Sequence, residues 1–233
     1  MECFVYGTRR EVPDEFSEYL DPRTTAVVSI DMTDSHLADT PDCPCPGPRA
    51  REIVEPMNVF HRSARRLGVP IIHVRYGARR GGVDDVKGIK AAWRMTFPLY
   101  LGPVPNIDSH ALEGTRWTNF VTEVLEDDLI VSTKRRLSVW YPTDLDFLLR
   151  NLKSRAVVLT GAFTDCCVLN AAFEGSNLGY RVVVAQDLVA GLNADMEDAA
   201  LKIMSLYCGL VVDSAALVNH WSLQLEDDLK SAA

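Results

Sequence analysis

The sequence predicts an α/β fold of three layers, an α-β-α sandwich with helices on both faces of a six-stranded parallel sheet. Two observations lead there. Short β-branched runs alternate with longer helical patterns from about residue 25 to residue 213. The runs are apolar almost throughout instead of alternating with polar residues, as strands buried on both faces are. The chain has 233 residues, 47% of them hydrophobic, which is ample for one core. It shows no repeat, low-complexity segment or interdomain linker, so a single domain is expected over 1–233. Its core is expected at about 24–215, with an extension at each end.

The first strand is expected at Thr25 to Ile30 (TAVVSI), ending at Asp31. A helical pattern from Arg49 to Leu67 follows, closed by Gly68, a good C-cap residue. The second strand is Val69 to Val74 (VPIIHV). Residues from about 77 to 109 are irregular and rich in Gly, Arg and Pro, longer than a plain connection needs. A short helical pattern at about 115–126 precedes the third strand, Asp128 to Thr133 (DLIVST), which ends at Lys134. Thr143 and Asp146 make a capping-box pattern opening the helix LDFLLRNL. Strand four, Ala156 to Thr160, leads into Gly-Ala-Phe-Thr-Asp-Cys-Cys-Val (161–168) and then a helical pattern to Tyr180. Strand five is Tyr180 to Ala185, a helix spans about 194–206, and strand six is Leu210 to Asp213.

Composition excludes several functions. The formal net charge is −8 and the pI about 5.1, with no long basic run, so nucleic acid is not an expected partner. No apolar stretch reaches the roughly 18 residues that span a bilayer, and the first residues lack the apolar core of a signal peptide. A cytoplasmic location with no membrane contact is expected. Six cysteines in this length make no disulfide scaffold, and a reducing compartment keeps them as thiols.

Parallel α/β sheets place ligands at the carboxyl ends of their strands. Three reactive side chains fall at such ends: Asp31 after strand one, Lys134 after strand three, and Cys166 or Cys167 after strand four. A thiol where a buried strand turns into a helix meets unpaired N–H groups and the positive end of the helix dipole. Both favour thiolate.

The motifs IDMTDSH (30–36), STKRRLSVW (132–140) with TDL after it, GAFTDCCV (161–168) and GYRVVVAQDLVAG (179–191) together resemble the isochorismatase-like cysteine hydrolases. These include nicotinamidases, N-carbamoylsarcosine amidohydrolase and related ureido or amide hydrolases. The resemblance covers about residues 24–215 and implies the strand order 3-2-1-4-5-6. It selects Cys167, the cysteine directly before Val168, and maps the catalytic aspartate and lysine to Asp31 and Lys134. It implies a cis peptide between Ala162 and Phe163. That bond aims the Phe163 N–H, with the Cys167 N–H, into an oxyanion hole. The implied activity is hydrolysis of a C–N bond in a small linear amide, carbamoyl or ureido substrate through a thioester. An isochorismatase-type vinyl-ether hydrolase and a non-catalytic binding protein on the same scaffold are the alternatives. The resemblance also implies a homodimer or homotetramer.

The chain departs from the family in places. Nicotinamidases carry an Asp-x-His pair and a further histidine that hold a metal. Here His36, His61, His73, His110 and His220 are scattered and none forms an Asp-x-His. Cys43 and Cys45 lack the usual zinc spacing and read as loop thiols. No metal and no other cofactor is therefore expected. His36 stands near a position where members often carry an aromatic. Arg75, at the end of strand two, is a candidate for a substrate carboxylate, with Tyr76, His36, Trp140 and Thr164 as further substrate-binding candidates. Arg79 and Arg80 read as a solvated loop. Trp93, Phe97, Trp117 and Tyr141 are candidate pocket walls.

Overall fold

The computed structural model describes residues 1–85 and 87–231. Its strands are β1 (Glu2–Val5), β2 (Thr8–Glu11), β3 (Thr25–Ile30), β4 (Ile71–Tyr76), β5 (Leu129–Lys134), β6 (Ala156–Ala162), β7 (Arg181–Ala190) and β8 (Gly209–Val212). Its helices are α1 (Asp34–Leu37), α2 (Pro48–Glu52), α3 (Val54–Arg66), α4 (Ala92–Leu101), α5 (Leu145–Asn151), α6 (Leu169–Asn177), α7 (Ala194–Tyr207) and α8 (Ser214–Ser231).

The strands form one sheet in the order β2-β1-β8-β7-β6-β3-β4-β5. The six expected strands are β3 to β8, and they pair in parallel. Numbered one to six, they run 3-2-1-4-5-6, as the family resemblance implies. The expected six-stranded sheet is corrected to eight strands. The hairpin β1–β2 adds antiparallel pairs at the β8 edge. Its turn is Tyr6-Gly7, both at positive φ (52° and 77°), which matches the twist of a two-residue hairpin.

The two apolar strands with every residue buried, β3 and β6, lie next to each other at the centre. Successive side chains leave opposite faces of a strand, so β3 sends Val27 to one core and Ala26, Val28 and Ile30 to the other. The first core packs Met57, Phe60 and Ala64 of α3 with Leu217 and Trp221 of α8. The second packs Leu145 and Leu149 of α5, Ala171 and Ala172 of α6, and Ala200 and Met204 of α7.

Three local expectations are corrected. The single helix expected from Arg49 to Leu67 is two, parted at Ile53, three residues before Pro56. The pattern at about 115–126 forms only a 3-10 turn, Arg116–Thr118. Inside the irregular 77–109 stretch lies α4, which has no fully buried residue. Among the described residues no helix is long and apolar enough to cross a membrane.

Candidate active site

The carboxyl ends of β3, β5 and β6 meet, and their end residues form a buried cluster. Asp31 follows β3 with φ 54°, a left-handed conformation that Asp tolerates better than most residues. Its N–H donates to the Val74 carbonyl at 2.8 Å, and its Oδ1 accepts the Tyr76 N–H at 2.8 Å. Both bonds lock the carboxylate to the end of β4. Gly161 lies beside this turn at φ 110°, and a Cβ there would overlap the Ile30 carbonyl oxygen and lie 2.7 Å from the Ile30 nitrogen. Only glycine lets β6 run this close to the residue that precedes Asp31.

Lys134 ends β5 and is 1% exposed. Its Nζ lies 2.5 Å from Asp31 Oδ2 and 3.4 Å from Cys167 Sγ, and 5.2 Å from the centre of the Tyr76 ring. Burial pushes the Lys134 ammonium down. The Asp31 carboxylate beside it outweighs that, and the net shift is upward.

Cys167 sits in a π-helical turn, Thr164–Val168, between β6 and α6. Such turns recur at functional sites. The N–H groups of Cys166 and Val168 both donate to the Phe163 carbonyl, at 3.0 and 3.2 Å. The bond between Ala162 and Phe163 is cis. Among the described residues the Phe163 N–H has no backbone partner. Contact with the Cys166 thiol and burial push the Cys167 thiol well above its ordinary value, and the Lys134 ammonium offsets them in part. Burial thus favours the neutral thiol, beside the contact of Lys134 with Asp31.

These three residues line a cavity of about 80 Å³. Trp93 and Phe97 of α4 close one side, and His36, Tyr76, His110 and Phe163 form walls. Phe163 meets His36 edge-on at 4.9 Å, and Gly47 packs against the Phe163 ring where any Cβ would collide. Lys134 is the single cation among the described lining residues. A wider recess of about 480 Å³ shares Tyr76, Trp93 and His110 with it. Arg79 lines that recess paired to Asp84, and Arg94 is paired to Asp85 and Asp108.

Tyr76 and His36 are therefore at the cavity, whereas other substrate-binding expectations need correction. Arg75 points away from it. Its guanidinium donates to the Thr118 carbonyl at 2.7 Å and lies 5.1 Å from the centre of the Phe120 ring. Trp140 belongs to the second core, stacked on Tyr180 with its Nε1–H donating to the Ala171 carbonyl. Thr164 is fully buried in the π turn and does not line the cavity.

The reading of scattered histidines and loop thiols also needs correction. His36, Cys45 and His110 converge on one cavity wall, although His36 and His110 are 74 residues apart. Nothing in their spacing signals this, because each sits on a different loop or short helix.

Comparison with known proteins gives the family of the chain. The model of the isochorismatase domain matches residues 25–216. The ureidoacrylate amidohydrolase RutB of Caulobacter vibrioides is 26% identical over 207 residues, covering 84% of this chain and 90% of that protein. An uncharacterized isochorismatase family protein of Bacillus subtilis, PncA, is 31% identical over 101 residues, 40% of this chain. The match spans only 55% of that protein. The crystal structure of a cysteine hydrolase from Pseudomonas syringae pv. phaseolicola shares the fold. Its TM-score is 0.76 at 22% identity, covering 88% of this chain and 95% of that one. With its domain matched over most of the length, this chain belongs to the isochorismatase family.

Proposed function

We propose that this hydrolase cleaves the C–N bond of a small amide, carbamoyl or ureido compound, with Cys167 as nucleophile. The observation that carries the reading is the contact of one buried ammonium, Lys134, with both Asp31 and Cys167. A buried carboxylate and thiol joined by one ammonium are what a thiol needs to be deprotonated on demand. The similarity to a ureidoacrylate amidohydrolase over most of both chains supports the same bond type.

In this reading Asp31 takes the Cys167 proton when substrate binds. Lys134 stabilises the thiolate as the charge moves. The sulfur attacks the carbonyl carbon, and the C=O pair moves onto oxygen. The Phe163 and Cys167 N–H groups hold that oxyanion; one such donor is worth about 100–1000-fold in rate. The tetrahedral species collapses, Asp31 returns the proton to the departing nitrogen, and ammonia or an amine leaves. A thioester remains on Cys167. Asp31 then takes a proton from water, the hydroxide attacks the thioester, and the acid is released as the thiol re-forms. The cavity volume suits a small acyl group better than a peptide.

The test is ammonia release from a panel of small amides, carbamoyl amino acids, biuret and ureido acids. Cys167→Ala is expected to abolish release from any substrate found, and Cys166→Ala to retain it. Equal loss in both variants would overturn the assignment. Wild-type turnover that survives iodoacetamide would move the reading to an ether hydrolase in which Asp31 acts as a proton donor.

A further inference from the structure

Two imidazoles and a thiol share one wall of the cavity, and the cysteine chemistry proposed above uses none of them. We propose that His36, Cys45 and His110 form a binding site for Zn²⁺ or a similar late first-row cation, with its remaining coordination position open to the cavity. The inference goes beyond the hydrolase reading and does not rest on it.

Geometry is the first support. One donor atom from each residue lies within 4.8 Å of the other two, and all three residues are buried. The two Nε2 atoms are 3.3 Å apart. Two nitrogens at about 2.0–2.1 Å from a tetrahedral zinc are separated by about 3.3 Å. The imidazole pair therefore already has the required separation. The Cys45 sulfur lies within 4.8 Å of a ring nitrogen of each histidine, and a zinc–sulfur distance of about 2.3 Å would draw it closer.

Orientation is the second support. The Nδ1 of His36 faces the Cys45 carbonyl at 3.3 Å. Donating its proton there leaves Nε2 bare, which is the tautomer a metal-binding histidine needs, held by the outer contact such ligands commonly make. His110 Nε2 faces that bare nitrogen, so without a metal it must carry the proton between them. Its Nδ1 is then buried with no partner. A cation at the shared point accepts both Nε2 lone pairs. The His110 proton moves to Nδ1, Cys45 releases its proton to solvent and binds as thiolate, and the remaining ligand is water or a donor atom of the substrate. Two nitrogens and one sulfur suit Zn²⁺, and Co²⁺ takes the same site as a coloured probe.

The set differs from the Asp-x-His arrangement of nicotinamidases. It comes from α1 itself, the loop after it, and the segment before the Arg116–Thr118 turn. His36, Cys45 and His110 line the same cavity as Cys167, so a cation there would open onto the cavity that holds the reacting thiol.

The experiment is metal binding by the full chain, read independently of turnover. Protein purified without a histidine tag is stripped with chelator and titrated with Co²⁺ and, separately, Zn²⁺. Expected is one cation per chain by elemental analysis, with a thiolate-to-cobalt charge-transfer band near the ultraviolet edge. Cys45→Ser should lose the charge-transfer band. His110→Ala should weaken binding by more than the roughly 10–100-fold typical of outer contacts. Cys167→Ala should keep both the cation and the band. Wild-type protein that binds no stoichiometric cation refutes the site, and this reading needs no variant to fold. A cation retained in the His36→Ala/His110→Ala variant, or a charge-transfer band lost with Cys167 and not with Cys45, also refutes it by placing the metal elsewhere. Loss of turnover in Cys167→Ala with the metal retained separates the two proposals.

Discussion

The Asp31–Lys134 pair allows a quantitative test of the site. Each residue is 1% exposed, and the charged atoms are 2.5 Å apart. Lys134→Met keeps the length of the side chain and removes the ammonium. Asp31 then retains the Tyr76 N–H as its remaining partner in a buried setting. Breaking one side of a buried pair costs about 3–5 kcal/mol, mostly through the uncompensated charge. Asp31→Asn should cost a similar amount, because its amide faces a buried ammonium. The double variant Asp31→Asn/Lys134→Met removes both charges together. It should be more stable than the sum of the single effects by about 2–3 kcal/mol, the upper part of the range for residues in contact. Urea unfolding measures this as a shift of midpoint at constant slope. All three variants should lose turnover, so stability recovers in the double variant while activity does not. A coupling below about 0.5 kcal/mol would refute the reasoning, because independent sites behave that way.

Other outcomes follow from single features. Gly161→Ala should lose more than about 2 kcal/mol, since the left-handed backbone alone costs about 1–2 kcal/mol and the added methyl overlaps the Ile30 carbonyl. Folded Gly161→Ala should also lose about 100-fold in turnover if β6 shifts by about 1 Å; an unimpaired variant would refute the close approach. His61 is buried with neither ring nitrogen bonded, and burial lowers its pKa to about 3. Its folded pKa lies below the unfolded value of about 6.5. The unfolded chain therefore takes up the proton first, and this contribution is complete above about pH 6.5 and is lost as pH falls toward 3. His61→Leu should flatten that part of the stability–pH curve, by up to about 1.4 kcal/mol per pH unit, and unfolding at pH 7.5 and pH 5 shows whether it does. An unchanged slope would mean that His61 finds a partner. Arg75→Gln should leave KM unchanged and lower stability by about 1 kcal/mol, the value of its bond to Thr118. A rise in KM of about tenfold or more would return Arg75 to the substrate.

Much of the fold was legible in the strands. TAVVSI and AVVLTGA are apolar on both faces, so they had to be covered by helices on both sides, and they lie at the centre of the sheet. The hairpin β1–β2 was not legible, because its turn is Tyr-Gly and not one of the usual Asn-Gly or Asp-Gly pairs. The helix α4 was hidden for another reason. Its turns contain Pro98 and bury no residue fully, so no apolar stripe marks it. Arg75 ends a strand and Trp140 is an aromatic close after the Lys134 strand end, which made both candidates for the pocket, yet both side chains point to other partners. A position along a strand or loop does not say which way a long side chain turns.

The sequence by itself determined that Asp31, Lys134 and the Cys166–Cys167 pair end up together, and the family resemblance selected Cys167. Parallel strands in this order bring their carboxyl ends to one edge, and each of the three residues directly follows or closes such a strand, or the turn after it. Only the tertiary structure decided what surrounds them. His36, Cys45 and His110 come from segments with no regular period to place them, and their separations reflect how loops pack over the sheet. The character of the cavity wall depends on contacts between residues as far as 74 positions apart, which local patterns do not encode.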